Sequence, residues 1–325
     1  MSLPVPPVQG SGMEIFMKYI DFGTHGLKAS EIVLGTMRII AKDKTTVEGI
    51  IRTALEYGIN TIDTADCYGN GKSESLIGQV LKDNPELRDK MVLQTKCGII
   101  KEDSFTYFDF SKEHILKAVD DSLMRLHTDH VDSLLLHRPD ALMEPDQIAE
   151  AFQILYDQGK VLDFGVSNMN PEMIELIKSE VSFPLIANQV QLSCAFTPAI
   201  NAGFNVNMMN DASVMHDGGI LEYCRRNKMI IQAWSTMQYG YFEGVFIGSD
   251  KYKELNKVLE RIAGEQGTTP TAAALAWILR YPGKVQTVIG TTNPKHICES
   301  AAASDMVLSH REWYEIYESA GNQLP

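Results

Sequence analysis

The seven residues VDSLLLH at positions 131–137 form an apolar run that ends in a histidine. The run does not alternate between apolar and polar residues, which is typical of a strand buried on both faces of a parallel sheet. A stretch with helical spacing follows, and LDFGVS at residues 162–167 then repeats the arrangement with a serine at its end. Two such runs around a helix indicate a βαβ unit.

The same unit recurs along the chain. Apolar runs occupy residues 32–34, 60–63, 92–96, 131–137, 162–167, 185–190, 229–235 and 285–290. Helices are predicted between them at residues 76–81, 147–157, 171–178, 219–227 and 253–264. Three further helices are predicted to begin at capping signals. These signals are a capping box of Thr45 with Glu48, and N-caps at Ser111 and Thr269. Eight βα units predict an α/β fold, a closed (β/α)8 TIM barrel.

The two ends of the chain differ from this repeat. Residues 18–22 and 27–34 predict a short β-hairpin before the barrel, and residues 311–320 predict a C-terminal helix. Residues 1–17 begin with a proline-rich stretch that has no apolar segment of a signal peptide, so we expect a disordered or vector-derived leader. No linker divides residues 18–325, which predicts a single barrel domain. The long connections at residues 193–217 and 236–250 are typical of functional loops.

Composition narrows the function. The chain has 325 residues, of which 44% are hydrophobic and 22% charged, and its net charge is −13. Such an acidic globular protein is not expected to bind nucleic acid. The apolar runs are too short to span a membrane, so no membrane partner is expected. Five cysteines without CxxC or metal-ligand spacing indicate reduced thiols in a cytoplasmic protein with no metal site.

Polar residues end several of the predicted strands. Asp63, Lys96 and His137 end three of them, and Tyr68 follows in the loop DTADCYGNGK. Each one alone is compatible with a satisfied core residue or with a chain that reaches solvent. Active sites of such barrels lie at the carboxyl ends of the strands, however, and Lys and Asp are rarely buried unless they are paired. The coincidence of the four predicts a functional site.

This group of side chains favours carbonyl chemistry. An ammonium group beside a phenol lowers the pKa of the phenol, and a carboxylate can hold the ammonium in place. A neutral imidazole can donate a hydrogen bond to a carbonyl oxygen. Together they would protonate a carbonyl during reduction and stabilise the developing oxyanion. Because side chains supply no hydride, a hydride-carrying cofactor is required.

Eight short motifs carry a family resemblance. They are DTAxxY at residues 63–68, ESLIG at 74–78, LQTK at 93–96, LLLHRP at 134–139, GVSN at 165–168, NQV at 188–190, QAWS at 232–235 and IGT at 289–291. With these in order, residues 18–320 resemble the aldo-keto reductase superfamily, and in particular its bacterial oxidoreductase-like branch. The resemblance implies a TIM-barrel oxidoreductase that uses NADP(H), with NAD(H) possible, to reduce small aldehydes or ketones to alcohols.

The resemblance also implies roles for individual residues. Tyr68 matches the general acid, Lys96 and Asp63 its tuning pair, and His137 the residue that orients the carbonyl. The implied cofactor contacts are Ser167, Asn168 and Gln189 for the carboxamide, Trp234 for stacking on nicotinamide, Ser235, Met237, Tyr239 and Gly240 for the pyrophosphate, and Gly290, Thr291, Thr292, Lys295, His296 and Ser300 for the adenosine phosphate. His296 stands where relatives usually have Arg, so the expected preference for NADPH depends on Lys295 as a point charge.

The substrate and the physiological role stay open in the sequence. Met37, Cys67, Tyr107, Phe108 and Phe242 are candidates for the substrate pocket, although each is equally compatible with loop packing. Their character indicates a small, partly apolar carbonyl compound. A cofactor-sensing regulatory subunit with little turnover is the alternative function. The intact set of four polar residues argues against a barrel that has lost its activity and has only a structural role. The sequence does not indicate the oligomeric state.

Overall fold

Eight parallel strands close into a barrel. A computed structural model describes the backbone of residues 8–10 and 13–325 and the side chains of residues 16–325. The barrel strands are β1 (Ile32–Gly35), β2 (Thr61–Asp63), β3 (Val92–Cys97), β4 (Val131–Leu136), β5 (Val161–Ser167), β6 (Leu185–Gln191), β7 (Ile230–Trp234) and β8 (Val285–Ile289). Each pairs in parallel with the next, and β8 pairs with β1 to complete the ring. The predicted (β/α)8 barrel is confirmed.

Helices surround the barrel. They are α1 (Lys44–Glu56), α2 (Lys72–Asp83), α3 (Lys112–Leu126), α4 (Pro145–Asp157), α5 (Pro171–Lys178), α6 (Pro198–Phe204), α7 (Ile220–Arg226), α8 (Lys253–Glu265), α9 (Pro270–Leu279), α10 (Pro294–Ala301) and α11 (His310–Ser319). Helix α11 confirms the C-terminal helix. The connection at residues 193–217 contains α6, which was not predicted from the sequence.

Side-chain caps fix where these helices begin. Ser111 and Thr269 accept hydrogen bonds from backbone N–H groups in the first turns of α3 and α9, as predicted. The predicted capping box of Thr45 with Glu48 is wrong. Helix α1 is capped two residues earlier by Asp43, whose carboxylate accepts from the N–H of Thr46. Asp is at least as good an N-cap as Thr, so the earlier start is favoured.

A β-hairpin covers the amino end of the barrel. Its strands Tyr19–Phe22 and Leu27–Ser30 pair in an antiparallel register, which confirms the predicted hairpin. Phe22 is fully buried against Val92 and Ile230, the first residues of β3 and β7. The hairpin therefore closes this end with apolar side chains. The carboxyl ends of the strands face the opposite, open end.

The outer helices pack closely on the barrel and on each other. A Cβ atom at Gly78 in α2 would lie 1.9 Å from the backbone oxygen of Arg125, so only glycine permits this approach to α3. In the C-terminal region, Trp277 of α9 and Trp313 of α11 stack with ring centroids 4.9 Å apart. Each indole N–H of this pair donates to the backbone oxygen of the other residue.

Outside the barrel, Val8–Gly10 and Met13–Ile15 pair as two short antiparallel strands. The predicted leader, residues 1–17, lies partly outside the described residues, and the division into a leader and a domain at 18–325 stays a prediction. None of the five cysteines forms a disulfide. In the part of the chain that the structure describes, no helix is long and apolar enough to cross a membrane.

Candidate active site

A buried ion pair lies at the carboxyl end of the barrel. Asp63 is the last residue of β2, and Lys96 is the fifth residue of the neighbouring strand β3. Lys96 is completely buried, and its Nζ lies 2.7 Å from Oδ2 of Asp63 and donates to the backbone oxygen of Thr64 at 2.8 Å. Burial alone would lower the pKa of Lys96, but the Asp63 carboxylate more than reverses this effect and raises that pKa. The ammonium therefore stays charged.

Three glutamine side chains support Asp63 from inside the barrel. The amide nitrogens of Gln94 and Gln189 donate to Oδ1 of Asp63 at 2.6 and 3.0 Å. Both also donate to Oε1 of Gln232, which is fully buried. Because buried polar groups need partners, this network fixes the carboxylate with its second oxygen directed at Lys96. Gln94 and Gln232 were not predicted from the sequence as site residues, although they lie in the motifs LQTK and QAWS.

Tyr68 lies against the ion pair. Its hydroxyl oxygen is 3.2 Å from Nζ of Lys96, and the ammonium lies 5.0 Å from the centre of its ring. Loss of solvation raises the pKa of Tyr68 to about 12, although Lys96 partly offsets this effect. The expected lowering by the ammonium is thus present but outweighed by burial. Tyr68 holds its proton at neutral pH.

His137 follows β4 and faces Tyr68. The two rings meet edge to face with centroids 5.7 Å apart. Burial lowers the pKa of His137 well below its ordinary value, and the positive charges of Lys96, Arg138 and Lys101 add to this effect. The imidazole is therefore neutral. Its Nδ1 lies 3.5 Å from Sγ of Cys67.

A second group of polar residues follows β5, β6 and β7. Ser167 donates to the backbone oxygen of Gln189 at 2.9 Å, and the amide nitrogen of Asn168 donates to Oγ of Ser167 at 2.7 Å. The indole N–H of Trp234 donates to Oδ1 of Asn168 at 3.0 Å. The Oε1 atom of Gln189 accepts no hydrogen bond from the described residues. These bonds fix the half-buried Trp234 ring at the open end of the barrel.

The loop after β7 lies beside Trp234. Ser235 has a left-handed backbone conformation, with φ of 53°, and its hydroxyl donates to Gln238. Gly240 is also left-handed, and its carbonyl accepts from the side chain of Gln191 at 2.5 Å. Met237 and Tyr239 pack partly against the apolar core. The loop is therefore ordered by contacts on both sides.

The segment after β8 leads into helix α10. Asn293 caps this helix through the N–H of Lys295, and Oγ1 of Thr291 lies 3.5 Å from Nδ1 of His296. Lys295 is strongly exposed, and its Nζ is 3.8 Å from Glu299. Ser300 is buried, and its hydroxyl donates to the backbone oxygen of His296. Of these predicted contact residues, Ser300 alone has a buried hydroxyl that is already bonded.

The predicted pocket residues fall into two groups. Cys67 contacts His137, and the Phe242 ring lies 6.2 Å from that of Trp234, so both border the group of polar residues. Tyr107 and Phe108 lie on a hairpin after β3, formed by Ile99–Lys101 and Thr106–Phe108, where Tyr107 stacks on Phe105. Met37 is exposed just after β1. The structure places all five beyond the carboxyl ends of strands.

Two charged residues escaped the sequence analysis. Arg38 lies next to the segment after β8, because a Cβ atom at Gly290 would be 3.8 Å from its guanidinium. The buried oxygen Oδ1 of Asp66 has no hydrogen-bond partner among the described residues. Burial and the negative charge of Glu74 raise the pKa of Asp66 to about 7. Neither residue ends a strand, so neither is among the polar strand ends that mark the site in the sequence.

Asp66, Cys67 and His137 also bring potential metal-ligand atoms within 4.8 Å of one another. Metal binding needs the thiolate, and burial raises the pKa of Cys67 to about 12. The thiol is therefore protonated and a poor ligand. We assign no metal to this group, and the expected absence of a metal stays a prediction.

Comparison with known proteins agrees with this geometry. The family model "Aldo/keto reductase family" matches residues 31–320. The 6-dehydroglucose reductase of Agrobacterium fabrum is 34% identical over 304 residues, which cover 90% of this chain and 95% of the relative. Oxidoreductase YdhF of Escherichia coli is 30% identical over 314 residues, which cover 94% and 99%.

A solved structure gives the same result. An aldo-keto reductase from Klebsiella pneumoniae in complex with NADPH superposes with a TM-score of 0.73 at 25% identity, covering 92% of this chain and 94% of that chain. The family model alone spans most of the barrel. With its barrel and its four convergent polar residues, the chain belongs to the aldo/keto reductase family of oxidoreductases.

Proposed function

We propose that the protein reduces aldehydes and ketones to alcohols with a nicotinamide dinucleotide, using Tyr68 as the proton donor. The observation that carries this proposal is the continuous chain from Asp63 through Lys96 to the Tyr68 hydroxyl, with bonds of 2.7 and 3.2 Å. Reductases among the relatives and the NADPH complex of a structural neighbour support it.

In this proposal Tyr68 protonates the carbonyl oxygen while the carbonyl carbon is reduced. Its raised pKa keeps the proton available at neutral pH. As the proton leaves, negative charge develops on the phenol oxygen, and the Lys96 ammonium stabilises it. Asp63 keeps Lys96 charged and in position. The three residues therefore form one acid group.

His137 would hold the carbonyl oxygen. A neutral imidazole with the proton on Nε2 donates a hydrogen bond to that oxygen and polarises the carbonyl. The proton is on Nε2 when Nδ1 accepts, and the protonated thiol of Cys67 is the nearby donor. His137 would orient the substrate without competing with Tyr68 as an acid, because its lowered pKa keeps it neutral.

The residues at the open end fit a nicotinamide. When bound, the cofactor supplies the hydride that reduces the carbonyl carbon. The indole face of Trp234 offers a stacking surface, and the Oε1 atom of Gln189 is available to accept from a carboxamide. Ser167 and Asn168 would add polar groups to the same carboxamide site. Ser235, Met237, Tyr239 and Gly240 would cover the pyrophosphate.

The cofactor's phosphates would lie beside the segment after β8. Gly290, Thr291 and Thr292 offer backbone and hydroxyl donors there, and Arg38 adds a cation that can bind a phosphate through two bonds. Lys295 is the candidate for the 2′-phosphate, with His296 beside it. We therefore propose that NADP(H) is preferred and that NAD(H) is also accepted.

The test is cofactor consumption with 4-nitrobenzaldehyde, with NADPH and NADH measured in parallel. We expect Tyr68→Phe to bind cofactor normally and to lose a factor of about 10² to 10⁴ in kcat. The control is Tyr314→Phe, which removes a hydroxyl on α11 away from the strand ends. Turnover by Tyr68→Phe within a few-fold of wild type would refute the proton-donor assignment.

A cofactor-binding regulatory subunit is the second candidate, and the intact acid group of Asp63, Lys96 and Tyr68 disfavours it. The same experiment separates the two functions. Binding of NADPH, followed by a change in tryptophan fluorescence, without consumption of NADPH by any aldehyde would favour the regulatory function.

A further inference from the structure

The open end of the barrel carries two cations that have no carboxylate partner. Arg138 directly follows His137, and Lys101 lies on the hairpin after β3. Among the described residues, no carboxylate oxygen lies within 4.0 Å of a side-chain nitrogen of either residue, whereas cations such as Arg52, Lys112 and Lys117 on the outer helices do contact carboxylates.

The guanidinium of Arg138 is held in place by two aromatic rings. Its Cζ lies 5.6 Å from the centre of the Trp234 ring and 5.9 Å from that of Tyr241. The two rings are nearly perpendicular, at 86°, and form a corner for the planar group. Cation–π contacts with the rings do not consume the N–H donors of the guanidinium, so these stay available for a ligand. No hydrogen bond to Arg138 from the described residues uses these donors.

Both cations act on the proposed reaction site. Besides burial, the positive charges of Arg138 and Lys101 help to lower the pKa of His137, and the charge of Lys101 offsets part of the rise that burial causes in the pKa of Cys67. Arg138 is the next residue after His137, and its guanidinium lies over Trp234 at the open end of the barrel, so it can face a substrate whose carbonyl oxygen His137 holds. The Asp63 carboxylate of the acid group is already paired with Lys96. The Asp66 carboxyl group lies within 4.8 Å of Cys67 and His137 and forms no ion pair with either cation.

We propose that Arg138, assisted by Lys101, forms a subsite for a carboxylate on the substrate, so that the preferred substrates are aldehydes or ketones that also carry an acid group. A carboxylate accepts two parallel, charge-assisted hydrogen bonds from the N–H groups of a guanidinium. A neutral hydroxyl or ester does not provide two equivalent charged acceptors. This subsite rests on the proposed function, because it assumes that a carbonyl compound binds beside His137.

The test compares two pairs of substrates, in each of which a carboxylate is replaced by its neutral methyl ester. The pairs are succinic semialdehyde with methyl 4-oxobutanoate, and 4-carboxybenzaldehyde with methyl 4-formylbenzoate. We expect wild-type protein to prefer the acid in at least one pair by about tenfold or more in kcat/KM. Arg138→Met should abolish this preference through KM, Arg138→Lys should retain part of it, and Lys101→Met should weaken it. The preference should also shrink with added salt.

The control is Lys160→Met, which removes a positive charge just before β5 at the opposite end of the barrel. Equal kcat/KM for acid and ester in wild-type protein, or an acid preference that persists in Arg138→Met, would overturn the subsite. If Arg138→Met raises the KM for NADPH with every substrate, Arg138 binds the cofactor and the proposed carboxylate subsite is also overturned.

A binding measurement separates the subsite from the reductase function. With NADP⁺ present, benzoate should change the tryptophan fluorescence of wild-type protein at lower concentrations than benzamide does. Arg138→Met should bind the two equally. If neither the wild type nor any variant turns over substrate but the wild type still prefers benzoate, the reductase function is refuted and the subsite is supported. If the wild type turns over substrate but binds benzoate and benzamide equally, the reductase function is supported and the subsite is refuted.

Discussion

The thiol of Cys67 lies 3.5 Å from Nδ1 of His137, on the side of the protein where the acid group lies. Both groups are neutral, because burial raises the pKa of the thiol to about 12 and lowers that of the imidazole. Between a neutral thiol and a neutral imidazole, we expect the S–H to donate to Nδ1, since sulfur is a weak acceptor. This bond would keep the proton of His137 on Nε2.

Replacement of Cys67 should therefore change the rate through the tautomer of His137. We expect Cys67→Ala to lose about three- to tenfold in kcat, the value of one neutral hydrogen bond. Cys67→Ser should retain most of the rate, because a hydroxyl donates to the same nitrogen. Steady-state kinetics with a neutral aldehyde measure the effect. A serine variant as slow as the alanine variant would show that the thiol acts through its volume instead.

Variants of the pair of Asp63 and Lys96 should separate its contribution to stability from its contribution to activity. Lys96→Met leaves the Asp63 carboxylate buried without its partner, and we expect it to lose about 3 to 5 kcal/mol in the free energy of unfolding. The double variant Asp63→Asn with Lys96→Met should recover much of that stability, because no buried charge remains. It should not recover turnover, since no ammonium stabilises the Tyr68 oxygen.

Urea unfolding and initial rates on the same samples test this. Recovery of turnover in the double variant would show that Lys96 acts only by neutralising Asp63. If Lys96→Met were as stable as wild type, the ion pair would contribute nothing to folding.

The barrel and the four polar residues were predictable because both depend on local patterns. Unbroken apolar runs specify strands buried on both faces, and the polar residue that ends each run reaches the open end. The resemblance added the expected cofactor contacts, of which Asn168, Gln189 and Trp234 lie together. The predicted cap of α1 was wrong because Asp43 and Thr45 are both acceptable N-caps, and the sequence alone does not decide between them.

Contacts between distant parts of the chain were not predictable. Gln94 and Gln232 meet across the barrel interior, and their 138-residue separation leaves no signal in either motif. Arg138 looks like an ordinary surface arginine until Trp234 and Tyr241 are placed around it. The raised pKa of Tyr68 depends on burial, which the sequence does not give.

The segment after β8 should set the choice between the two cofactors. Lys295 has only a distant ion pair with Glu299, at 3.8 Å, and is free to meet a 2′-phosphate. We expect Lys295→Met to lower the ratio of kcat/KM for NADPH to that for NADH by about five- to tenfold, and His296→Arg to raise it by about tenfold through a bidentate contact. Lys284→Met, located just before β8 at the amino end, is the control. An unchanged ratio in both variants would exclude this segment as the phosphate site.

Asp66 should make the protein less stable as the pH rises. Its pKa is about 7 in the folded protein and near 4 in the unfolded chain, so between these values only the folded state keeps the proton. Stability from this group therefore falls from about pH 4 to pH 7 and stays low above it. We expect the advantage of Asp66→Asn over wild type in the free energy of unfolding to grow by roughly 1 to 3 kcal/mol between pH 5 and pH 8. Urea unfolding at the two pH values measures it, with the exposed Asp89→Asn as the control. An advantage that does not change with pH would mean that the buried carboxylate finds a compensating partner in solution.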